Sequence, residues 1–428
     1  MRKALVLIFS CALGAMIGCG GGNGTPTSNA GGNNVVPPSS GENVAAIVVD
    51  AGPSVGGQQI GYTNGVFVTV NVCVPGTTTC QSIDHVLVDT GSMGLRLLGS
   101  VLTLPLPIQK DSSGNGNGIA ECNQFLDGFT WGPVQSADVQ IAGEKASSVP
   151  IQVISETTYT VPSGCTGTNE DTIQALAANG ILGIGPFLQD CGSTCVTSVP
   201  SPALYYSCSS TACTGTTEPL AAQLQNPVSM FPADNNGTII ELPGISTSGS
   251  STVNGSLVFG IGTQSNNQLT SNMTVLFTDG YGDITTAYNG QQYSSSFIDS
   301  GSNGIFFLDS GTTGVPTCPS PDDSFYCPGA PNTNALNLRN LQAINLDSAG
   351  NQSQVNFSIA NAEYLFSQNG TGNFAFNDLG GPNSLPATSG TGATTGFDWG
   401  LAFFFGRNVV TAIENQNTPA GAGPFFAY

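Results

Sequence analysis

The sequence has few charged residues, and basic ones are the scarcest. Charged side chains make up 8% of the 428 residues, with 7 Lys and Arg against 27 Asp and Glu, so the formal net charge is −20. A surface with this excess of negative charge repels phosphate backbones and anionic headgroups. The composition therefore argues against partners such as nucleic acid and anionic membrane surfaces.

Histidine is almost absent, because His85 is the only one. A single histidine rules out His-rich metal sites and argues against a Ser-His-Asp triad, and a lone histidine is more often structural than catalytic. We therefore expect no histidine-based metal site.

Long apolar runs are also missing. Residues 1–18 begin with two basic residues and continue with an apolar stretch over 4–15 that is too short to span a bilayer, which is typical of a signal peptide. The sequence Met-Ile-Gly-Cys at 16–19 is similar to a lipobox, and it predicts cleavage before Cys19 and lipidation of its thiol. The alternative is an ordinary signal peptide with an incidental cysteine. Gly20 replaces the Asp of inner-membrane retention, which favours the outer membrane of a bacterial cell envelope.

The segment 19–44 is rich in Gly, Asn, Ser and Pro and is predicted to be a flexible tether behind the lipidated cysteine. Such a linker reaches roughly 25–30 Å, which would hold a folded body just off a membrane.

What the sequence does contain favours strands and turns. Glycine is abundant, with 57 residues, and β-branched alternating runs such as 66–72 are typical of strands. Only short helices are expected, near 171–178 with Asp171 as the cap and near 218–225. The predicted fold class is all-β.

Ten of the 12 cysteines follow the predicted lipidation site, an even number that in an exported protein indicates disulfides rather than metal ligands. Short separations predict two local disulfide loops, Cys73–Cys80 and Cys318–Cys327. A longer pair, Cys122–Cys165, is also proposed. The pairing within the remaining cluster of Cys191, Cys195, Cys208 and Cys213 is left open.

One motif occurs twice. Residues 86–95 read Val-Leu-Val-Asp-Thr-Gly-Ser-Met-Gly-Leu, and residues 296–305 read Ser-Phe-Ile-Asp-Ser-Gly-Ser-Asn-Gly-Ile. A single copy would be interpreted as a turn after a strand. Two copies, each behind an apolar strand and 210 residues apart, point to paired loops that carry Asp89 and Asp299.

This arrangement resembles the pepsin-like aspartic proteases, and the whole chain resembles a family of bacterial lipoproteins with pepsin-like signatures. The resemblance implies a bilobal double β-barrel, with an N-terminal lobe over 45–265 and a C-terminal lobe over 266–428. Two further landmarks fit it, the apolar segments around Gly183 and Gly400 that pass behind the two motifs.

The resemblance also implies the chemistry of the site. Two carboxyls held together share a proton, so that one activates a water while the other protonates the substrate carbonyl. Neighbouring residues are expected to support the pair by cross-loop bonds, tight turns and hydroxyl donors; these are Thr90, Gly91, Ser92, Ser300, Gly301 and Ser302.

Two departures from the family pattern leave a second hypothesis open. No Tyr-Gly occurs in residues 110–145, so Phe125 and Trp131 are the candidates for the aromatic that covers a substrate, and Arg96 replaces the supporting Trp. The first hypothesis is a monomeric aspartic endopeptidase that acts on extracytoplasmic polypeptides and uses no metal and no cofactor. The alternative is a catalytically silent pepsin-fold lipoprotein that binds a peptide or glycan in its cleft.

Overall fold

The structure is a computed structural model that describes residues 40–112, 115–125, 128–155, 157–329, 335–383 and 396–428. The predicted signal peptide, Cys19 and nearly all of the predicted tether lie outside these ranges. Within them, no helix has the length and apolar character needed to cross a bilayer.

Strands form nearly all of the regular structure. The first fifteen are β1 Val44–Asp50, β2 Ser54–Val55, β3 Gln58–Gln59, β4 Gly65–Cys73, β5 Cys80–Asp89, β6 Met93–Leu98, β7 Gly118–Gln124, β8 Gly128–Ile141, β9 Glu144–Ile154, β10 Thr168–Asn169, β11 Gly180–Ile184, β12 Tyr205–Cys208, β13 Cys213–Gly215, β14 Gly237–Leu242 and β15 Val253–Phe259. The others are β16 Val275–Phe277, β17 Ile284–Tyr288, β18 Gln291–Ile298, β19 Ile305–Phe307, β20 Arg339–Leu346, β21 Gln352–Ile359, β22 Gly380–Gly381, β23 Phe397–Trp399, β24 Arg407–Ala412, β25 Asn417–Thr418, β26 Gly421–Ala422 and β27 Phe425–Ala427.

The helices are short. They are α1 Ile173–Leu176, α2 Ser193–Thr197, α3 Ser310–Thr313 and α4 Ala362–Asn369, with 3-10 turns at Leu220–Ala222, Pro227–Met230 and Leu401–Phe403. The first expected helix is thus shorter than predicted, and its cap is Thr172 rather than Asp171, because the Thr172 hydroxyl accepts a hydrogen bond from the N–H of Ala175. The second expected helix is only the 3-10 turn at 220–222.

Alternation explains why β4 is a strand. Its valines at 66, 68, 70 and 72 are all buried on one face, whereas Thr69 and Asn71 on the other face are exposed. β-Branched side chains suit such a pleated, half-buried surface. The buried face of β4 joins the main hydrophobic core.

The first large sheet contains 16 strands. Because β4 pairs with both β5 and β8, the strands β8, β9, β6, β11, β5 and β4 close into a ring, which is a small barrel. The same sheet continues through β1, β15 and β14 to β24, β27 and β16. Strands from the end of the chain thereby extend the sheet that the earlier strands begin.

The second sheet has seven strands in the order β21-β20-β17-β18-β23-β19-β22, all from the second half of the chain. The predicted boundary between residues 265 and 266 falls in the connection between β15 and β16. The fold class is the one expected from the sequence: all-β and bilobal, with barrel-like sheets and a few short helices.

Five disulfides link the described chain. The structure forms Cys73–Cys80, Cys122–Cys165 and Cys318–Cys327, and it divides the four-cysteine cluster into Cys191–Cys195 and Cys208–Cys213. Disulfides form and persist in oxidising compartments. They indicate an extracytoplasmic protein.

Candidate active site

The two motif loops occupy equivalent places in the two sheets. Asp89 ends β5, and the neighbouring parallel strand β11 places Gly183 beside it. Asp299 follows β18, whose parallel neighbour is β23, and the Asp299 N–H donates to the carbonyl of Trp399 at 3.1 Å. Each loop is therefore supported from behind by a strand of its own sheet.

Glycine is required in the supporting segment of the first loop. A Cβ on Gly183 would lie 2.7 Å from backbone atoms of Met93, closer than real Cβ contacts allow. The strand can pass directly behind the Asp89 loop only because it has no side chain at that point.

The Asp89 carboxylate is almost fully buried and accepts two hydrogen bonds from its own loop. The N–H of Gly91 donates to Oδ1 at 2.7 Å, and the Ser92 hydroxyl donates to Oδ2 at 2.5 Å. These bonds fix the carboxylate plane and provide hydrogen-bond partners for carboxylate oxygens that are buried away from water.

The second loop repeats this pattern around Asp299, which is fully buried. The N–H of Gly301 donates to Asp299 Oδ1 at 2.8 Å, and Ser302 Oγ lies 3.0 Å from Oδ2. The duplicated sequence thus produces a duplicated hydrogen-bond pattern.

Thr90 and Ser300 link the two loops to each other. The Thr90 hydroxyl accepts from the Ser300 N–H at 2.9 Å and donates to the carbonyl of Ile298 at 3.1 Å. Symmetrically, the Ser300 hydroxyl accepts from the Thr90 N–H at 3.2 Å and donates to the carbonyl of Val88 at 2.7 Å. Four buried hydrogen bonds therefore join the two halves of the chain beneath the carboxyls.

The crossing brings the two carboxyls together. A Cβ on Gly91 would lie 2.7 Å from Cγ of Asp299, and a Cβ on Gly301 would lie 2.7 Å from Oδ1 of Asp89. Each carboxyl therefore lies against the backbone of the opposite loop, which only glycine permits.

The proximity of the two carboxyls changes the pKa of Asp299. Burial, the like charge of Asp89 and the further negative charge of Asp398 raise the pKa of Asp299 well above its usual range, and a hydrogen bond with Asp89 acts in the same direction. Asp299 therefore keeps its proton at a pH at which an isolated Asp would lose it.

Asp398 is a site residue that the sequence analysis missed. It lies on β23, is almost fully buried, and its Oδ2 is 2.7 Å from Ser302 Oγ, the hydroxyl that also contacts Asp299. The signal that could have found it is an acid between two aromatic residues in the segment leading to Gly400.

Asn64 is a second residue that the sequence analysis missed. Its side-chain amide donates to the carbonyl of Asn303 at 2.7 Å and to that of Phe376 at 2.8 Å, and its Oδ1 accepts from the Phe376 N–H at 2.7 Å. Asn64 precedes β4, so an early part of the chain fixes the loop that carries Asp299.

Arg96 forms a buried ion-pair network beside the first loop. Its Nη2 lies 2.5 Å from Glu121 Oε1 on β7 and 3.5 Å from Asp190 Oδ2, and Nη1 donates to the carbonyl of Met93 at 2.8 Å. The Tyr205 hydroxyl donates to Asp190 at 2.7 Å. Burial and then the charge of Glu121 raise the pKa of Asp190 well above its usual range.

The two aromatic candidates lie on the β7–β8 hairpin but in different surroundings. Phe125 is at the turn, where its N–H donates to the carbonyl of Gly128 at 2.8 Å, and it packs in a buried cluster with Tyr62 and Leu87. Trp131 is fully buried in the strand, where its Nε1 donates to the carbonyl of Tyr159 at 2.8 Å. Trp131 is therefore held in the core, away from any open surface.

In the described ranges, no group of three or more His, Cys, Asp or Glu side chains has the geometry of a metal site. The site is instead a pair of carboxyls with their hydroxyl and amide donors.

The fold and the site together define a class: two-lobed all-β proteins in which each lobe contributes one Asp loop to a common centre. The chain belongs to the family described as "Protein of unknown function (DUF3443)", whose family model matches residues 39–428. Among solved structures, the aspartic proteinase from Irpex lacteus is similar to 90% of this chain and 96% of its own chain, at 15% identity and a TM-score of 0.46. Among curated proteins, none matches the chain.

Proposed function

We propose that the protein is an aspartic endopeptidase that hydrolyses extracytoplasmic polypeptides, with Asp89 and Asp299 as its catalytic pair. The observation that supports this most directly is the contact of each carboxyl with the glycine of the opposite loop. That contact places the two carboxyls where they can share one proton, which is what water activation by a carboxyl pair requires.

In this proposal Asp299 holds the proton and Asp89 is the base. Asp89 accepts a proton from a water as the water oxygen attacks the peptide carbonyl carbon, and Asp299 gives its proton to the carbonyl oxygen. Asp89 then passes its new proton to the leaving amine as the C–N bond breaks. A proton from the resulting diol returns to Asp299, so the pair ends in its starting state.

The supporting residues would keep this geometry without taking part in bond changes. Gly91 and Ser92 donate to Asp89, and Gly301 and Ser302 donate to Asp299. The hydroxyls of Thr90 and Ser300 hydrogen-bond across to the opposite loop and hold the two loops together. Fixed donors of this kind cost no reorganisation as charge moves between the carboxyls.

The test is digestion of a mixed protein substrate between about pH 3 and pH 7, the range in which carboxyl pairs work. Wild type is compared with Asp89→Asn, Asp299→Asn and a matched surface control, Asp279→Asn, with and without a peptide inhibitor that mimics the transition state. We expect cleavage by wild type and the control, inhibition by the mimic, and loss of cleavage in both dyad variants with the fold intact. Cleavage by purified Asp89→Asn would refute the assignment.

A second candidate is a silent pepsin-fold protein that binds a peptide or glycan in its cleft. The contacts that hold the β7–β8 hairpin in place favour this candidate. Glu121 on β7 forms a buried ion pair with Arg96, Cys122 on β7 forms a disulfide with Cys165, and β7 also pairs with β12. A fixed hairpin cannot easily open for a turnover cycle. Saturable peptide binding without cleavage over the whole pH range would favour this candidate.

The proposed location is the bacterial outer membrane, through a lipid on Cys19 and the tether that follows it. The protein then would act as a monomer on its periplasmic or surface surroundings. A Cys19→Ala variant expressed in its bacterial host should appear in the soluble extracytoplasmic fraction, whereas wild type should sediment with membranes. Equal sedimentation of both would refute the anchor.

A further inference from the structure

Ser302 is shared between two carboxyls. Its Oγ lies 3.0 Å from Asp299 Oδ2 and 2.7 Å from Asp398 Oδ2. A serine hydroxyl has a single proton to donate, so it can donate to only one of the two acids. The other contact is a hydrogen bond only if that carboxyl is protonated and donates to Ser302.

The surroundings of Asp398 favour a proton on it. Its Oδ1 is buried and has no hydrogen-bond partner among the described residues. The ionisable groups that interact with it are the acids Asp89 and Asp299, while the paired strands β18 and β19 place Phe297 and Phe306 opposite it. An ionised carboxylate with an unpaired buried oxygen and no cation is costly.

The direction of the Asp398 pKa shift agrees with this geometry. Burial, and then the negative charge of Asp89, raise the pKa of Asp398 well above its usual range, although the hydrogen bond with Ser302 acts in the opposite direction. Residues 384–395, which precede β23 and lie outside the described ranges, contain no ionisable side chain.

The first lobe provides an internal comparison. In the strand β11, Ile181 pairs with Leu87 and with Arg96. In β23, Asp398 pairs with Phe297 and Phe306, which stand at the equivalent points of the second motif. The second lobe therefore has an acid where the first has an isoleucine, and among the described residues Ser92 has Asp89 as its one carboxyl partner.

We propose that Asp398 is a positioning residue of the carboxyl pair: protonated at acidic pH, it donates to Ser302 Oγ and keeps the Ser302 hydroxyl donating to Asp299. This inference rests on the proposed hydrolysis. When Asp398 loses its proton, Ser302 turns to donate to it, and Asp299 loses a donor and gains a negative neighbour. Both changes make the pair hold its single proton more tightly, so Asp398 extends the working range towards neutral pH.

The test variant is Asp398→Asn, whose amide donates to Ser302 at every pH and never ionises. If the enzyme is active, the acid limb of its pH profile should be unchanged, and the basic limb should move to lower pH by about one unit, because the like charge that delays ionisation is gone. An unchanged basic limb would overturn the proposal.

A second measurement does not depend on activity. An acid whose folded pKa is raised stabilises the fold below its unfolded pKa, near 3.8, and this stabilisation is lost as pH rises through the folded pKa. Above about pH 4, the folded-to-unfolded ratio of wild type should therefore fall relative to Asp398→Asn by up to tenfold per pH unit. A constant ratio between about pH 4 and pH 7 would show that Asp398 is charged throughout and would refute the proposal.

Asp378→Asn is the matched control. Asp378 is also a buried acid that accepts from a serine hydroxyl, that of Ser358, and burial raises its pKa to about 6. The Asp378→Asn variant should show the same kind of pH-dependent stability difference from wild type, and its pH profile of cleavage should be unchanged. If wild type cleaves nothing, the proposed function fails, and the stability comparison still decides whether Asp398 holds a proton. Should Asp398→Asn not fold, Asp398→Ser removes the charge, keeps a donor and carries the same expectations.

Discussion

Thr90 and Ser300 exchange hydrogen bonds across the centre of the molecule. The backbone N–H of each donates to the hydroxyl of the other, at 2.9 Å for Ser300 to Thr90 and 3.2 Å for Thr90 to Ser300. Both residues are buried, and they lie in the loops that follow β5 and β18, which belong to the two different sheets. This exchange is the mechanical link that keeps Asp89 beside Asp299.

We expect Thr90→Val to destabilise the fold, because it leaves the Ser300 N–H and the Ile298 carbonyl buried without this partner. An unsatisfied buried group costs about 1–3 kcal/mol. Urea denaturation at neutral pH measures the loss, and Thr103→Val, at an exposed hydroxyl, is the control and should stay within about 0.5 kcal/mol of wild type. Additive losses in the Thr90→Val and Ser300→Ala double mutant would contradict a direct coupling.

Gly91→Ala should displace the opposite carboxyl, since its new methyl group would lie 2.7 Å from Asp299 Cγ. Overpacking of this kind costs about 1–3 kcal/mol, and a displacement near 1 Å costs about 100-fold in rate. The matched control is Gly280→Ala, whose added Cβ meets nothing within 4 Å. Near-normal stability and cleavage in Gly91→Ala would show that Gly91 and the Asp299 carboxyl are too far apart for the added methyl group to clash.

Arg96→Met should be strongly destabilising near neutral pH. It removes the one cation between the buried acids Glu121 and Asp190, and uncompensated buried charges cost about 3–5 kcal/mol. The loss should shrink as the pH falls, because Asp190, whose pKa is raised, takes up a proton. Chemical denaturation at two pH values checks this, with Arg339→Met at an exposed position as the control. A loss independent of pH would mean that packing, not charge, is the role of Arg96.

His85 should stabilise the fold only while it is protonated. Its hydrogen bond with Asp50 at 3.3 Å is the largest cause that raises its pKa, so the stabilisation is complete below about pH 6.5 and is lost as pH rises through the folded pKa. The side chain is 20% exposed, which limits the effect to about 0.5–1 kcal/mol. Asn tolerates the local φ of 47°, so His85→Asn removes the charge without straining the backbone. The variant should be less stable than wild type at about pH 5 and about as stable as wild type at about pH 9. An equal difference at both would assign His85 to packing against Phe67 alone.

The repeated motif predicted two equivalent loops. Because the same residue types follow Asp89 and Asp299, the sequence indicated both loops, their hydroxyl donors and their cross-loop bonds. Alternation along strands such as β4 likewise predicted an all-β fold. These are local patterns, and local patterns can be read from one sequence.

The remaining features depend on partners far apart in the chain. Asp398 meets Ser302 only because β23 returns beside β18, and Arg96 meets Glu121 only because the fold brings β6 and β7 together. Neither pair has a spacing that signals contact. The cap at Thr172 rather than Asp171 is a smaller case, since either residue type can cap a helix and the backbone path decides.

The most direct test of the central claim is an experimental structure of the protein with a peptide inhibitor whose hydroxyl mimics the transition state. We predict that this hydroxyl lies between the two lobes, within about 3.2 Å of a carboxyl oxygen of both Asp89 and Asp299. Carboxyls separated by more than about 6 Å, too far for one hydroxyl or water to bridge, would contradict it.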